Sequence, residues 1–402
     1  MTAVYDGSVD RDLSPLGAEL VARAAGLRPL LMEEAPRSER ARDLSQRTAD
    51  ALADAELFQL LSPRRLGGLE TDCLTLLEVV AELARADVSV AWVVGVLNFS
   101  AWQVGAFPER VQEEVWGDDP KARVCSVLTA GIEVEHVDGG VVLNGRWSFA
   151  SGSTHSQWSL LTYPESWGQS GPVLKVAAIP LSDLTIEDSW YPAGVRGSGS
   201  NDLVGSGVFV PEHRTLPLAE ANEGVRPNGH PEECLYRSSW SGIGSIATLA
   251  PQLGGAKSML DLVAARSLGR MIPPAAIIDQ SENPHFQRRF GEAALKLDAA
   301  WLLARQVAID TDAAAATGEL PSDEIRGRAR AGTVWSSRAA YEVVESLISE
   351  AGSSSLMDAS PLQLVWRDVA TAHRHVVYRF DPFVEMYGRV LLGKGRGAIQ
   401  LF

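Results

Sequence analysis

Hydroxyl and aromatic side chains alternate in two stretches of this sequence that could together hold a flat ring. Residues 145–158 (GRWSFASGSTHSQW) and 190–211 (WYPAGVRGSGSNDLVGSGVFVP) interleave aromatic or β-branched residues with Ser, Gly and Asn. Such sequences form strands and tight turns that bring backbone N–H and hydroxyl donors together. Phe149 and Ser151 are two residues apart, so in a strand they share one face. An aromatic wall beside a hydroxyl suits an isoalloxazine ring, and these residues therefore suggest a flavin.

The strongest single candidate for acid–base chemistry is His375. Asp368, Thr371 and His375 recur at spacings of three and four, so they share one face of a helix predicted over residues 362–378. His373 would point to roughly the opposite side. Imidazole gains and loses a proton near neutral pH, which suits general acid–base catalysis. A lone helical histidine is also common on surfaces and in satisfied cores, so the spacing alone leaves both roles open.

Other polar and aromatic positions have both a functional and a structural interpretation. Ser126 lies in a predicted strand, where it could face a ligand or pair within the sheet. Trp92 and Trp102 could line an apolar pocket or fill the core. Arg196 lies in the turn VRGSGSND, where it could contact a phosphate or form a structural ion pair. That turn lacks the strand–helix context of a dinucleotide fingerprint, which excludes a Rossmann site.

Composition excludes several classes of partner. The 402 residues include 51 acidic and 36 basic side chains, for a net charge of −15, which argues against nucleic acid and anionic membranes. The sequence has neither an apolar run that could span a bilayer nor a basic and apolar leader at its start, so we expect a cytoplasmic protein. Its three cysteines are far apart and form no C-x-x-C motif, so no metal site is predicted.

The helix-typical and strand-typical segments divide the chain into three parts. Helical composition over most of residues 1–121 predicts an N-terminal helical domain, and residues 122–216 are predicted to form a central β domain. Residues 217–402 are predicted to start with a loop, up to residue 233, and to continue as a helical bundle. The candidate strands are residues 124–128, 141–149, 157–163, 173–179 and 203–210.

This plan and its motifs resemble the acyl-CoA dehydrogenase superfamily, and more narrowly its two-component flavin-dependent monooxygenases. The motifs that carry the resemblance, in chain order, are Pro63 with Gly67-Gly68, Asp87-x-Ser89-x-Ala91-Trp92, Gly145-x-Trp147-x-Phe149-x-Ser151-Gly152, Gly194-x-Arg196-Gly197-Ser198-Gly199-Ser200, and Trp366-Arg367-Asp368 with His375. The resemblance implies a mainly α fold with a central β-barrel or small sheet, a C-terminal four-helix bundle, and a homotetramer.

The resemblance also implies an activity. It is that of an oxygenase component that receives FMNH2 or FADH2 from a separate flavin reductase, forms a C4a-hydroperoxyflavin with O2, and hydroxylates an aromatic or polyketide-like small molecule. Three alternatives stay open: N- or S-oxygenation on the same scaffold, an acyl-CoA dehydrogenase-like reaction, and a scaffold that has lost its flavin. No segment matches the dehydrogenases' carboxylate-bearing motif near the C-terminus, and the flavin-contacting residues are present, which speaks against the last two.

Family members suggest roles for individual residues. Phe149 would pack on the flavin ring, Ser151 would contact its N5 edge, and Ser126 would meet the flavin or the substrate. Arg196 would border the active site beneath the flavin. His375 would polarise or deprotonate the substrate, or donate a hydrogen bond to the flavin peroxide.

The resemblance assigns the flavin phosphate and the substrate pocket as well. Arg266 or Arg270 would bind the phosphate, and Trp92, Ser100, Trp102 and His375 would form the pocket. Ser100 stands where phenol-hydroxylating relatives often carry a histidine. Since serine is not a base near neutral pH, this difference speaks against a simple phenol bound in that way.

Overall fold

The computed structural model describes residues 12–128, 131–168, 171–222, 230, 232–272, 278–318 and 321–397. Side-chain caps begin the N-terminal helices: the Ser14 hydroxyl accepts from the Gly17 amide, and the Asp87 carboxylate accepts from the Ser89 and Val90 amides. These helices are α1 (Pro15–Ala41), α2 (Gln46–Asp54), α3 (Cys73–Ala84), α4 (Val88–Val104) and α5 (Glu109–Trp116). The residues up to 61 are helical in composition, but they do not form one continuous helix. Helix α1 ends at Ala41, because the chain turns at Arg42 with a φ of 60°.

Two four-stranded sheets follow the first five helices. Their strands are β1 (Val124–Val127), β2 (Glu133–Val137), β3 (Gly140–Ala150), β4 (Trp158–Gly168), β5 (Gly171–Pro180), β6 (Thr185–Glu187), β7 (Asn201–Pro211) and β8 (Thr215–Pro217). One sheet has the order β1-β4-β5-β8 and the other β2-β3-β7-β6. All five predicted strands are present. Sequence analysis missed β2, whose residues are mostly exposed, and the three-residue strands β6 and β8.

Long helices form the C-terminal part of the described chain. The elements are α6 (Leu218–Asn222), α7 (Trp240–Ser267), β9 (Met271–Ile272), β10 (Ile278–Asp279), α8 (Pro284–Thr317), α9 (Asp323–Ala351), α10 (Pro361–His373) and α11 (Phe380–Leu391). Helices α7, α8 and α9 pack on one another, and α10 packs on α7 and α9. Helix α7 also packs on α3 and α4, so the C-terminal bundle and the N-terminal helices share one core.

Two predictions about the C-terminal half need correction. The last predicted helix does not reach Tyr378: α10 ends at His373, a 3-10 turn covers Val376–Tyr378, and α11 follows. His375 therefore lies in a connection and not on a helical face. The loop predicted from residue 217 begins as helix α6, while residues 223–229 and 231 of that loop lie outside the described residues.

The described residues offer neither a membrane-spanning helix nor a cluster of metal-binding side chains. None of their helices is long and apolar enough to cross a membrane. Within the same residues, no group of three or more His, Cys, Asp and Glu side chains could hold a metal ion. The domain limits at residues 121/122 and 216/217 stay predictions.

Candidate active site

Trp92 brings two of the predicted site residues together. Its indole Nε1–H donates to Ser151 Oγ at 3.1 Å, and its ring centroid lies 5.6 Å from that of His375. The three residues come from α4, the end of β3 and the connection after α10. Trp92 itself is only 6 % exposed, so it acts more as a fixed donor behind Ser151 than as an open pocket wall.

Ser151 begins a chain of hydroxyl groups. Ser151 Oγ lies 2.7 Å from Ser200 Oγ, which lies 2.7 Å from Ser198 Oγ. The Ser198 hydroxyl also lies 2.8 Å from the Val195 carbonyl oxygen, which can accept its proton. We call Ser151, Ser200 and Ser198 the serine relay. Sequence analysis used Ser198 and Ser200 only as part of a Gly/Ser-rich motif, because their pairing depends on how β3 and the turn before β7 approach each other.

The ends of the serine relay set the direction of its hydrogen bonds. Each hydroxyl has one proton, the Trp92 N–H can only donate, and the Val195 carbonyl can only accept. If every proton points towards Val195, four bonds form: Trp92 to Ser151, Ser151 to Ser200, Ser200 to Ser198, and Ser198 to Val195. If the serine protons point the other way, from Ser198 to Ser200 and from Ser200 to Ser151, only three hydrogen bonds form. The Ser151 proton then has no acceptor in the relay. The favoured direction therefore commits the Ser151 proton to Ser200 and leaves Ser151 Oγ able to accept one more bond.

A buried carboxyl group holds the accepting end of the relay in place. The Val195 amide donates to Asp368 Oδ1 at 2.6 Å, and Val195 has a left-handed φ of 54°. The preceding Gly194 permits this contact, because a Cβ there would lie 2.2 Å from the Arg367 carbonyl oxygen. Burial, and secondarily the charge of Asp87, raise the pKa of Asp368 well above its usual value.

Phe149 is exposed beside this relay. Its side chain is 68 % exposed, and its ring contacts the edge of Trp190 with centroids 6.0 Å apart. Phe149 has a φ of 72°, and the β3–β7 register shifts between Trp147 and Ala150. This irregularity breaks strand alternation, so simple spacing does not place Phe149 and Ser151 on one face. Such a strained and exposed aromatic residue is a candidate for ligand contact.

His375 is held as a neutral imidazole. Its Nδ1 accepts from the Val377 amide at 3.4 Å, which places the ring proton on Nε2. Burial, and secondarily the charge of Arg330, lower the pKa of His375 to about 4, although part of the residue stays exposed. At pH 7 His375 therefore presents a neutral ring with an Nε2–H donor.

Ser100 and Ser126 lie together. The Ser100 hydroxyl is 2.8 Å from Ser126 Oγ and also 2.8 Å from the Val96 carbonyl oxygen on the preceding turn of α4. Ser100 is fully buried and Ser126 is partly exposed. Of this pair, only Ser126 presents surface to a ligand.

Two predicted site residues have structural contacts. Trp102 is fully buried and donates to the Leu235 carbonyl oxygen at 3.1 Å, so the structure does not bring it to the cleft as a pocket wall. Arg196 donates to the Glu39 carbonyl oxygen at 3.2 Å and to the Pro192 carbonyl oxygen at 3.0 Å. The Arg196 guanidinium also lies 3.5 Å from Glu39 Oε1 on α1, an ion pair that corresponds to the structural alternative for Arg196.

Arg266 and Arg270 form a positive patch at the end of α7. Arg266 donates to the Ser354 hydroxyl and Arg270 to Gln280 Oε1 at 3.0 Å. Burial, and secondarily the charge of Arg266, lower the pKa of Arg270. Neither guanidinium has a carboxylate within 4.0 Å among the described residues. Two neighbouring cations without an acidic partner fit an anion such as a phosphate.

Two family models match parts of the chain. A family model described as acyl-CoA dehydrogenase, N-terminal domain, matches residues 25–117, and one described as acyl-CoA dehydrogenase, C-terminal domain, matches residues 246–380. The oxygenase subunit HsaA of a flavin-dependent monooxygenase from Mycobacterium tuberculosis is 32 % identical over 371 residues, which cover 89 % of this chain and 91 % of HsaA.

Two further relatives carry a flavin in their names. The oxygenase component of an FADH2-dependent resorcinol hydroxylase from a Rhizobium species is 32 % identical, with coverage of 93 % of this chain and 94 % of the relative. The structure of XiaF from a Streptomyces species in complex with FADH2 and glycerol superposes with a TM-score of 0.90, at 29 % identity over 96 % of this chain and 98 % of XiaF.

The raised pKa of Asp368 predicts a pH-dependent effect of Asp368→Asn. At pH values above the pKa of Asp368 in the unfolded chain and below its higher pKa in the folded protein, the folded state binds one more proton than the unfolded state. The free energy of unfolding of wild type therefore falls as pH rises through this interval. Asparagine keeps an acceptor for Val195 and does not ionise. The thermal unfolding midpoint of Asp368→Asn should therefore rise relative to wild type between pH 4 and pH 8. A difference that stays constant with pH would contradict this.

Asp368→Ala provides the contrast. It leaves the buried Val195 amide without an acceptor, so it should destabilise the protein at every pH by about 1–3 kcal/mol.

Proposed function

The chain belongs to the acyl-CoA dehydrogenase family, and we propose that it is the oxygenase component of a two-component flavin-dependent monooxygenase that hydroxylates an aromatic small molecule. HsaA and the resorcinol hydroxylase component are each about a third identical over nearly the whole chain; the first is named as the oxygenase subunit of a flavin-dependent monooxygenase, and the second as the oxygenase component of a hydroxylase of resorcinol, an aromatic molecule. In this arrangement a separate reductase supplies the reduced flavin.

The contact geometry of the serine relay, from which its hydrogen-bond direction follows, is the observation that carries the proposal. Ser151 Oγ can accept one more hydrogen bond, but its own proton is committed to Ser200. The N5 atom of a reduced flavin bears a hydrogen and donates, whereas N5 of an oxidised flavin can only accept. A flavin whose N5 edge meets Ser151 is therefore recognised better when it is reduced. The exposed ring of Phe149 offers an apolar surface for the same ring system.

Other residues fit the rest of the cofactor. Arg266 and Arg270, which lack carboxylate partners among the described residues, would hold a flavin phosphate. We favour FADH2 because the names of the resorcinol hydroxylase component and of the XiaF complex both specify it. We also propose a homotetramer, which the exposed Leu295, Leu302 and Trp335 on α8 and α9 support as an interface.

The bound reduced flavin supplies the activation of O2 for insertion of one oxygen atom into the substrate. The chain positions the reactants and keeps water away. Neutral His375 presents its Nε2–H as a donor to a substrate or oxygen atom, since the Val377 amide occupies Nδ1. The buried carboxyl of Asp368 accepts from Val195, so it is not presented as the base that a dehydrogenase requires. N- or S-oxygenation is our second proposal, because Ser100 and Ser126 offer hydroxyls and no base.

His375→Ala tests the proposed activity. We expect this variant to bind FADH2 normally and to consume O2, but to transfer about 10- to 100-fold less oxygen to substrate, since it lacks the Nε2–H donor. The measurement is 18O incorporation from 18O2 into resorcinol and a panel of phenols and indoles, with H2O2 measured in parallel. His373→Ala, in which the lost ring stacks on Tyr341 outside the site, is the matched control. Unchanged product yield in His375→Ala would remove this residue from the reaction.

Ser200→Ala tests the relay. Without the Ser200 acceptor, the Ser151 hydroxyl is free to donate to N5 of oxidised FAD. The ratio of the Kd for FAD to the Kd for FADH2 should therefore fall about 10-fold, from anaerobic and aerobic fluorescence titrations. Ser153→Ala removes a buried hydroxyl that has no hydrogen bond to the relay, and it should leave the ratio unchanged. An unchanged ratio in Ser200→Ala would show that the relay does not discriminate between the two flavin forms.

A further inference from the structure

A short turn that is tied to the C-terminal bundle directly follows His375. The Tyr378 amide closes this 3-10 turn by donating to the His375 carbonyl oxygen at 2.9 Å. The Tyr378 hydroxyl donates to Thr248 Oγ1 on α7 at 2.8 Å. The Val377 carbonyl oxygen accepts from Nη2 of Arg330 on α9 at 3.0 Å. The turn is thus anchored by hydrogen bonds to both α7 and α9.

Arg330 is connected to the imidazole through both polar groups of one residue. Its guanidinium donates to the Val377 carbonyl oxygen, while the Val377 amide donates to His375 Nδ1 at 3.4 Å. Nη1 of Arg330 donates to the Ser245 hydroxyl at 2.7 Å, so the guanidinium is itself fixed to α7. A planar guanidinium holds its acceptors in a defined geometry. Val377 therefore transmits the position of Arg330 to the ring of His375.

Arg330 is a costly residue for the interior of the bundle. It is fully buried, and no carboxylate lies within 4.0 Å of it among the described residues. The rings of Phe383 and Trp240 compensate for part of the charge, with centroids 4.1 and 4.6 Å from the guanidinium carbon. Burial lowers the pKa of Arg330 to about 10, so it remains charged at pH 7. Replacing buried charges by apolar residues of similar volume is often neutral or stabilising, so stability alone does not account for this charge.

The charge of Arg330 also acts on the imidazole. Burial, and secondarily this charge, lower the pKa of His375, because a neighbouring cation disfavours the protonated ring. The part of α7 that packs here, residues 240–256, contains no titratable side chain. Other titratable groups around the turn do not contribute to this shift: Asp87 at the start of α4, Arg326 on α9, Asp368, His373 and Arg374 in or next to α10, and Tyr378 and Arg379 after His375.

We propose that Arg330 is a positioning residue, which fixes the ring of His375 through Val377 and holds it in the neutral form with its proton on Nε2. His375 keeps an exposed face, whereas Arg330 is fully buried, so a ligand can meet the imidazole without touching the guanidinium. The consequence for catalysis rests on the proposed function. The state of the imidazole does not, because it is a property of the flavin-free chain.

The protonation state of His375 in the flavin-free full chain tests this inference. Nuclear magnetic resonance of the chain labelled with 13C- and 15N-histidine reports each ring, and His375→Ala identifies the signals of His375. In wild type this ring should stay neutral, with its proton on Nε2, from pH 8 down to about pH 5.5. A ring that titrates near the ordinary value of about 6.5, or that carries its proton on Nδ1, would overturn the proposal.

Arg330→Met assigns this state to the buried cation. Methionine fills similar space without charge or donor, so the fold should be retained. The pKa of His375 should rise by about 1 to 2 pH units, and part of the ring population should carry its proton on Nδ1. Unchanged His375 signals in this variant would contradict the proposal. Arg330→Lys should restore the wild-type signals in part, and since lysine and methionine are similar in length, the difference between them assigns the effect to the charge.

Arg338→Met is the matched control. Arg338 lies on the same helix, and its charge contributes to the lowered pKa of His373 but not to that of His375. This variant should therefore leave the His375 signals as in wild type. A shift of these signals as large as that in Arg330→Met would show a general effect of charge removal from α9, and would overturn the specific role of Arg330.

Activity separates this inference from the proposed function. With FADH2 and the substrate panel, Arg330→Met should yield about 10-fold less product per O2, most of all at the acid end of the pH profile, with an unchanged Kd for FADH2. Absence of product from wild type would contradict the proposed function and leave the resonance results valid. If Arg330→Met unfolds, Arg330→Lys decides: it lacks the planar fork, so its His375 signals should differ from wild type, and identical signals would overturn the proposal.

Discussion

The hydrogen bond from the Val195 amide to the buried carboxyl of Asp368 is the constraint on which the rest of the site depends. It fixes a left-handed residue against α10, and Gly194 is needed for that approach. The carbonyl of the same residue then accepts from Ser198. Through one residue, Val195, the C-terminal bundle positions the carbonyl towards which the hydroxyl protons of the β domain point. The hydrogen bonding of Ser151, which directly follows β3, thus depends on a residue of α10.

The pKa values of His375, Asp368 and Arg330 are shifted mainly by burial and less by charged neighbours. Desolvation lowers the pKa of His375 to about 4, so this imidazole is neutral at pH 7, and it raises the pKa of Asp368 well above its usual value. The charge of Arg330 persists at pH 7 without an acid beside it among the described residues.

Sequence patterns predicted the family and five of the eight strands in the two four-stranded sheets, because these depend on local spacing and on motifs. They could not separate Trp92 from Trp102: helix α4 is buried almost all round, so no polar face indicates which tryptophan meets the cleft. The break at Arg42 occurs without glycine or proline at that position. The pairing of Ser151 with Ser200, and the burial of Arg330, depend on tertiary packing that no local pattern reports.

The central claim is that Ser151 accepts a hydrogen bond from a reduced flavin because its own proton is committed elsewhere. Titration of the wild-type chain with FADH2 under anaerobic conditions, and with FAD in the same buffer, tests it most directly. The difference between a satisfied and an unsatisfied contact at N5 predicts that FADH2 binds about 10- to 100-fold more tightly than FAD. Equal affinity for the two forms, or tighter binding of FAD, would contradict the claim.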